Sequence, residues 1–305
     1  MNNERIVYIN GDFVPESRGH IHFRDRGFVY GDAVFDTSRT FNGRIFRLED
    51  HVNRLFDSLR YLRIDPGLTA AEITTLTEDV LERNRHLLGP DDDYWVFQRI
   101  TRGTNLPDGP GTGAGPTVII ECTPIPFAKR APLFRDGAYL VVPSVRRTPP
   151  EAMSANAKTH NYLNFVVAAN EIDTTNPHVW PVLLDTRGFL CEGNGSNLFL
   201  VKDGVVKTPK REFVLADISR QVVLELCDQL GLACVEADLT PFDASVADEI
   251  FITSTSLCLC PARRYNGHSI GDESPFPGPV TQRLIEAYAA EVDHDFVGQY
   301  LAHAA

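Results

Sequence analysis

The stretch 154–199 decides how this chain is interpreted. It opens with SANAKTHNYLNF (154–165), continues through a helical run, and closes with WPVLLDTRGFLCEGNGSNLF (180–199). Lys158 and Glu192 lie in it, 34 positions apart. The chain has five lysines against 24 arginines, and the other four lysines stand beside a charged residue or in a turn. Lys158 instead precedes an apolar run whose spacing predicts one face of a buried helix. That run contains Tyr162, Leu163, Phe165, Val166 and Val167.

A lysine that enters a core must find a partner, lose its charge, or react covalently. Taken alone, Lys158 has an ordinary interpretation, a lysine that extends its charge to solvent from the start of a helix. A loop carboxylate at Glu192 is equally ordinary. The combination of the two motifs is what gives both residues a functional interpretation.

The combined pattern is KxxNYL (158–163), then LDxxGxxxEGxGSNLFLVKDG (184–204) and a Thr-Pro turn. It resembles the class IV aminotransferases, the fold-type IV enzymes that use pyridoxal 5'-phosphate (PLP). That family includes branched-chain, D-amino-acid and (R)-amine transaminases, with aminodeoxychorismate lyase as a relative that is not a transaminase. The resemblance implies an α/β protein, a two-domain α+β fold like that of D-amino-acid aminotransferase, assembled as a homodimer.

The resemblance also implies roles for single residues. A lysine placed like Lys158 bonds covalently to PLP, and a glutamate placed like Glu192 pairs with the pyridine nitrogen. Only an unprotonated amine attacks the cofactor aldehyde, and a carboxylate at the ring nitrogen keeps the ring able to accept electrons. The family's further cofactor-binding positions correspond here to Arg54, Ile218, Ser219, Thr255 and Tyr162. Asp217 stands where the family has glycine, so we expect its carboxylate to turn away from the phosphate or to cap the helix.

In the substrate pocket this chain departs from the family patterns. The motif RGFxYGDxxFD (26–36) implies that Tyr30 and Phe35 line the pocket, although two aromatic residues in a loop and a strand also suit a core. Ser256 would contact the substrate. Phe97 stands where branched-chain enzymes carry an arginine, and Pro107, Asp108 and Gly109 stand where D-amino-acid enzymes carry an Arg-x-His clamp. Either Arg99, in phase with Phe97, binds the carboxylate, or the substrate lacks one.

The composition excludes several classes of partner. The chain is 43% hydrophobic and 23% charged, with a formal net charge of −12 and a pI near 5.2. An acidic chain without a basic stripe argues against nucleic acid and anionic membranes. No apolar run approaches the length of a membrane span, so we expect a cytoplasmic protein. Six cysteines without paired ligand spacing predict no metal site.

The pattern of elements predicts two domains. Residues 1–123 are expected to form a small N-terminal α/β domain, 124–132 a proline-rich interdomain linker, and 133–305 a large C-terminal α/β domain. The first domain should contain a hairpin over 6–14 around Asn10-Gly11, helices over 49–62 and 70–86, and strands over 94–101 and 118–122. The second should contain a helix over 219–231 with Asp217 or Ser219 as N-cap.

These inferences predict a transaminase that moves an amino group from an amino acid or a primary amine to a 2-keto acid. D-amino acids or (R)-amines are favoured over branched-chain L-amino acids, because Phe97 replaces the branched-chain arginine. A lyase of the aminodeoxychorismate type and a non-catalytic PLP-binding protein remain alternatives. The family also implies that a loop within Gly103–Pro116 completes the site of a second subunit.

Overall fold

The computed structural model describes residues 4–104, 115–173, 175–271 and 275–304. The chain folds into two compact units: Met1–Ile125 with Ala157–Asn161, and Pro126–Asn156 with Tyr162–Ala305. The sequence-based division placed Lys158 in the second domain, whereas in the structure this residue belongs to the first unit. The short segment 157–161 therefore returns to the N-terminal part of the chain.

The first unit is built on an antiparallel sheet. Its described strands are β1 (Ile6–Ile9), β2 (Asp12–Pro15), β3 (Ala33–Phe41), β4 (Arg44–Ile45), β5 (Tyr94–Thr101) and β6 (Thr117–Pro124). They are ordered β2-β1-β6-β5-β3-β4. The predicted hairpin forms, with Ile9 paired to Asp12 and with Asn10 and Gly11 at positive φ in the turn.

Helices cover one face of this sheet. They are α2 (Leu48–Leu62) and α3 (Ala70–Asn84); the short helix α1 (Arg26–Tyr30), which has no buried residue, precedes β3. The apolar stripe predicted for 49–62 is the buried face of α2, where Val52, Leu55 and Leu59 join the core. A capping box between Thr69 and Glu72 begins α3.

The opposite face of the sheet carries half-buried side chains because residues alternate between the two faces of a strand. Phe35 of β3 pairs with Arg99 of β5, and Thr37 pairs with Phe97. Glu121 of β6 lies opposite Phe97 on the other side of β5. Phe35, Phe97, Arg99 and Glu121 thus share one face, which is also the face nearest to Lys158.

The second unit has a mixed sheet. Its described strands are β7 (Ala138–Val141), β8 (Val179–Leu184), β9 (Leu190–Gly193), β10 (Ser196–Lys202), β11 (Val205–Pro209), β12 (Cys234–Ala237), β13 (Glu249–Ser254), β14 (Cys258–Tyr265) and β15 (His268–Ser269). The path runs β12-β11-β10-β13-β14-β7-β8-β9, with β15 paired to β14 and a further pairing of β9 with β10. That last pairing places the EGNGSN turn between adjacent strands.

The helices of the second unit are α4 (Phe127–Asp136), α5 (Leu163–Asn170), α6 (Ile218–Gln229), α7 (Pro241–Ser245), α8 (Pro279–Glu291) and α9 (Phe296–Ala302). Three-residue 3-10 turns lie at Glu16–Arg18, Arg85–Leu87 and Arg211–Phe213. None of the helices within the described ranges is long and apolar enough to cross a membrane.

Two expectations about local structure need correction. Helix α4 occupies most of the segment 124–132, which its prolines had predicted to be an irregular linker; the helix forms around Pro132 because Phe127, Ala131 and Phe134 are buried. The helix after Lys158 was predicted to bury one apolar face, but Leu163 is 71% exposed. Only Phe165 and Ala168 of α5 are buried, because one narrow side of this short helix packs inward.

Candidate active site

Backbone contacts fix Lys158 in the first unit. Its N–H donates to the Ser58 hydroxyl of α2 at 3.0 Å, and its carbonyl oxygen accepts from the N–H of Phe35 at 3.0 Å. Thr159 forms a bridge with Val34 of β3. Lys158 is 9% exposed, and its Nζ lies 4.7 Å from the centroid of the Phe35 ring. The segment thus adds to the edge of β3 and holds a buried amine against an aromatic wall.

The Phe35 ring also packs near two further side chains, those of His160 and Arg99. The His160 ring packs edge-on at 5.2 Å between centroids, and the Arg99 guanidinium lies 5.9 Å from the Phe35 centroid. Burial, aided by the positive charge of Arg99, lowers the pKa of His160 to about 4, so this imidazole is neutral at pH 7. His160 Nε2 is buried without a hydrogen-bond partner.

Two residues of β5, Arg99 and Phe97, were predicted to lie in the substrate pocket. Arg99 forms an ion pair with Glu121: its Nε and Nη2 donate to Glu121 Oε1 at 3.0 and 2.9 Å. Its guanidinium also lies 4.4 Å from the Phe97 centroid. Phe97 packs against Trp95, with 6.1 Å between the ring centroids. This face of the sheet therefore combines the aromatic rings of Phe97 and Trp95 with the ion pair between Arg99 and Glu121.

Arg54 is held by a buried carboxylate that the sequence analysis did not single out. Its Nε and Nη2 donate to the two oxygens of Asp36, each at 2.8 Å, and His51 Nδ1 lies 2.7 Å from Asp36 Oδ1. Burial raises the pKa of Asp36, but the charge and hydrogen bonds of Arg54, aided by His51, outweigh it and hold that pKa well below its usual range. Asp36 thereby fixes the plane of the Arg54 guanidinium, a group whose geometry suits phosphate.

Glu192 of the second unit is held in a similar way. Arg147 Nε donates to its Oε1 at 2.7 Å, and the N–H of Leu215 donates to its Oε2 at 2.8 Å. The Arg147 guanidinium lies 4.9 Å from the Phe165 centroid. A buried carboxylate requires such partners, and this one is oriented at both oxygens. Arg147 was missed because its partner lies 45 residues away in the sequence and nothing local marks the pair.

The N-terminus of α6 presents Ile218 and Ser219, as expected, within one residue of the predicted helix start. Asp217 occupies the N-cap position, but its side chain makes no capping hydrogen bond. The Tyr288 hydroxyl donates to the Ser219 hydroxyl at 3.3 Å. Backbone N–H groups at the start of a twelve-residue helix can bind a phosphate, and the helix dipole favours the negative charge.

Thr255 and Ser256 form the turn between β13 and β14. Ser256 is 5% exposed, and its carbonyl oxygen accepts from the Tyr300 hydroxyl at 2.7 Å. The Arg130 guanidinium of α4 donates to the Ser256 hydroxyl. Arg130 was also missed by the sequence analysis, which treated its segment as a linker.

Two predicted residues, Tyr30 and Tyr162, are placed less informatively. Tyr30 ends α1 with 62% of its surface exposed, and its ring lies 5.4 Å from the Arg26 guanidinium rather than against Phe35. Tyr162 is the N-cap residue of α5 and packs against Phe165. Most of the predicted subunit-spanning loop, including Pro107, Asp108 and Gly109, lies outside the described residues.

Each unit carries groups whose chemistry suits a part of pyridoxal phosphate. A guanidinium and a helix N-terminus suit the phosphate, a buried carboxylate suits a protonated ring nitrogen, and a buried amine suits the aldehyde. These groups are Arg54 and Lys158 in the first unit and Glu192 with Ile218 and Ser219 in the second.

Comparisons with known proteins identify the class. Residues 33–265 match the family model for class IV amino-transferases. A Methanocaldococcus jannaschii protein named as a candidate branched-chain-amino-acid aminotransferase is 35% identical over 92% of this chain and 94% of its own. The D-alanine aminotransferase of Bacillus licheniformis is 28% identical over 92% of this chain and 95% of its own.

Solved structures agree. The branched-chain amino acid aminotransferase of the thermophilic archaeon Thermoproteus uzoniensis, solved with norvaline, superposes with a TM-score of 0.82 at 26% identity, covering 97% of this chain and 96% of its own. Another branched-chain amino acid aminotransferase, complexed with N-(5'-phosphopyridoxyl)-L-glutamate, superposes with a TM-score of 0.83 at 27% identity, covering 95% of this chain and 94% of its own. The fold is therefore that of the fold-type IV enzymes. This chain belongs to the class IV aminotransferases, a family of PLP-dependent enzymes.

Proposed function

We propose that this enzyme transfers the amino group of an aliphatic α-amino acid to a 2-keto acid, with Lys158 as its catalytic residue. The observation that carries the proposal is the Phe35 ring, which faces the Lys158 amine and belongs to the same half-buried sheet face as Phe97. An apolar wall beside the reacting amine suits an aliphatic side chain. The names of the relatives, which refer to branched-chain amino acids and D-alanine, support the same class of donor.

PLP, when bound, supplies an electron sink that makes the α-proton of the donor acidic. Lys158 Nζ then serves as the base that takes this proton and as the acid that returns it. Phe35, whose ring centroid lies 4.7 Å from Nζ, would position the amine for this transfer. Arg54, oriented by Asp36, and the N-terminus of α6 would hold the phosphate. Glu192, oriented by Arg147 and Leu215, would keep the ring nitrogen protonated.

The sequence and the relatives' names support different amino donors. Replacement of the branched-chain arginine by Phe97 favours D-amino acids or (R)-amines, whereas the relatives' names mostly refer to branched-chain amino acids. L-leucine, D-alanine, D-glutamate and (R)-1-phenylethylamine form the panel that separates these possibilities. Each donor is added to the PLP-loaded enzyme while the visible-edge absorbance of the cofactor is recorded. Bleaching by an aliphatic amino acid is expected; bleaching by (R)-1-phenylethylamine alone would contradict the proposed substrate class.

Lys158→Ala tests the catalytic assignment. Loss of the proton-transfer group is expected to lower kcat by at least about a thousandfold. A second readout is independent of turnover: borohydride reduction should attach the cofactor mass to the wild-type chain and not to the variant. Lys129→Gln, which removes an exposed lysine, is the control and should keep the covalent adduct. Unchanged activity of Lys158→Ala would overturn the mechanism.

The lyase alternative predicts a different requirement for co-substrate. A transaminase stops after one half-reaction unless a 2-keto acid accepts the amino group, whereas a lyase that eliminates pyruvate continues without one. Multiple turnover in the absence of added keto acid would therefore favour the lyase. A stoichiometric burst that resumes when 2-oxoglutarate is added is the expected result.

We also infer that the enzyme works as a homodimer. Five exposed apolar residues within positions 21–30 of the first unit support this inference: Phe23 is 67% exposed, Phe28 69% and Tyr30 62%, with Ile21 and Val29 at 47%. Contiguous exposed aromatic residues are typical of interaction surfaces. A second copy of the chain is the partner that the class IV family implies.

A further inference from the structure

We propose that Arg130 binds the carboxylate of the substrate at the Ser256 turn. This inference deepens the proposed function and rests on it, since it assumes that the substrate reaches Ser256. Neither of the two carboxylate-binding patterns of the related enzymes is present in the sequence, and the proposed amino acid donor requires a cation at its carboxylate.

The contact between Arg130 and Ser256 locates this cation. The Arg130 guanidinium donates to the Ser256 hydroxyl and lies 5.9 Å from the centroid of the Trp180 ring. Trp180 is itself fixed, because its Nε1 donates to the Ser196 hydroxyl at 2.8 Å. A planar guanidinium beside an aromatic face and a hydroxyl can present two N–H groups to one carboxylate.

The supports of Arg130 make it a rigid binding group. Tyr300 packs its ring against Phe127 at 4.8 Å and against Phe134 at 4.3 Å between centroids, and these residues anchor α4. The hydroxyl of the same tyrosine donates to the Ser256 carbonyl oxygen. Because one side chain fixes both the helix and the turn, the position of Arg130 relative to Ser256 is set before any substrate binds. Such preorganisation reduces the entropy lost on binding.

Arg99 is the competing candidate, and its surroundings favour a different role. Two of its nitrogens donate to Glu121 Oε1, so a substrate carboxylate would have to displace an ion pair. Exchanging one carboxylate for another gains little free energy. Ser256 instead offers Arg130 a neutral hydroxyl, which a carboxylate replaces with a stronger, charge-assisted bond.

The variants are Arg130→Gln, Arg130→Lys and Lys129→Gln, the last a matched control that removes an exposed charge from the preceding position. Two ligands each keep the leucine side chain and one of its two polar groups: 4-methylvalerate keeps the carboxylate without the amine, and 3-methylbutylamine keeps the amine without the carboxylate. Calorimetry gives the Kd of 4-methylvalerate for the PLP-loaded enzymes. Spectral half-reactions give KM and kcat for the accepted aliphatic amino acid and for 3-methylbutylamine.

Arg130→Gln is expected to raise the Kd of 4-methylvalerate and the KM of the amino acid by about tenfold to a hundredfold, the usual cost of losing a charged hydrogen bond. Its kinetics with 3-methylbutylamine should not change. Arg130→Lys should retain part of the wild-type affinity for 4-methylvalerate. Lys129→Gln should bind it as tightly as the wild type does.

The proposal is overturned if Arg130→Gln binds 4-methylvalerate as tightly as the wild type, or if the wild type does not bind it. It is also overturned if the variant loses activity equally with the amino acid and the amine, since that pattern indicates a structural role. Binding of 4-methylvalerate requires no turnover. A wild type that transfers no amino group would therefore contradict the proposed function while the binding measurement still tests Arg130.

Discussion

At the scale of single residues, each group proposed to do chemistry is oriented by a partner from a distant part of the sequence. Asp36 orients Arg54, Arg147 orients Glu192, and Phe35 packs against the Lys158 amine. The motifs identified Lys158, Glu192 and Arg54 as candidates. They did not identify the orienting partners, because a side-chain pair between distant residues leaves no periodic signal in the sequence.

His160 gives the enzyme an acid-sensitive position. Its pKa of about 4 in the folded protein lies below the ordinary value of 6.5, because burial and the charge of Arg99 disfavour the imidazolium. The unfolded chain therefore binds a proton that the folded protein excludes as the pH falls from 6.5 towards 4. The stability contributed by neutral His160 is complete above pH 6.5 and is lost across that window.

We predict that His160→Gln reduces this loss. Between pH 7 and pH 5 the wild type should lose about 2 kcal/mol more unfolding free energy than the variant. Urea unfolding at the two pH values measures the difference. His86→Gln, which removes an exposed histidine, should behave as the wild type. Equal pH dependence of the wild type and His160→Gln would show that His160 titrates normally.

At the scale of elements, strand β9 determines where Glu192 lies. Gly193 follows the glutamate and pairs with Val182 of β8 and with Ser196 of β10. A Cβ atom at Gly193 would lie 2.6 Å from the carbonyl oxygen of Pro181, so the backbone of one strand would have to move. The glycine in the EG motif is thus explained by close packing between strands.

Gly193→Ala should destabilise the protein by about 1–3 kcal/mol, the usual cost of overpacking, and should weaken PLP binding by displacing Glu192. Thermal unfolding and equilibrium dialysis of PLP measure the two effects. Gly195→Asn is the control, because that position has open space and a φ of 71°, which asparagine tolerates. A Gly193→Ala variant with wild-type stability would contradict the close-packing argument.

The elements also show where periodicity was informative. Helix α2 and strand β5 were predicted within about a residue, because their alternation of apolar and polar positions matches one buried face. Helix α4 was missed because Pro132 lies inside it. The burial of α5 was overestimated, because an apolar pattern does not reveal whether another element covers the face.

At the scale of the whole molecule, the exposed apolar residues of the first unit bear on assembly. Phe28 is 69% exposed on α1, and Phe242 is 70% exposed on α7 in the second unit. The two phenylalanines are matched in type and exposure. Of these two phenylalanines, Phe28 is the one with several exposed apolar residues close to it in the sequence, so the proposed homodimer should depend on Phe28 and not on Phe242.

Phe28→Asp is predicted to raise the dimer dissociation constant by at least about tenfold, since burying a phenylalanine contributes roughly 1.5–3 kcal/mol. Light scattering behind a sizing column, over a range of protein concentrations, measures the change. Phe242→Asp should leave the dimer intact. A monomeric wild type, or equal effects of the two substitutions, would overturn the inferred interface.

The sequence alone determined the family, the strands and helices whose patterns repeat, and the lysine and glutamate around which the chemistry is proposed. These properties are local, since a motif or a period can be read within a few dozen residues. Tertiary structure decided that 157–161 joins the first unit, that Arg99 is engaged by Glu121, and that Arg130 lies at Ser256. Contacts of this kind depend on how distant segments pack, and residue order does not encode packing in any local pattern.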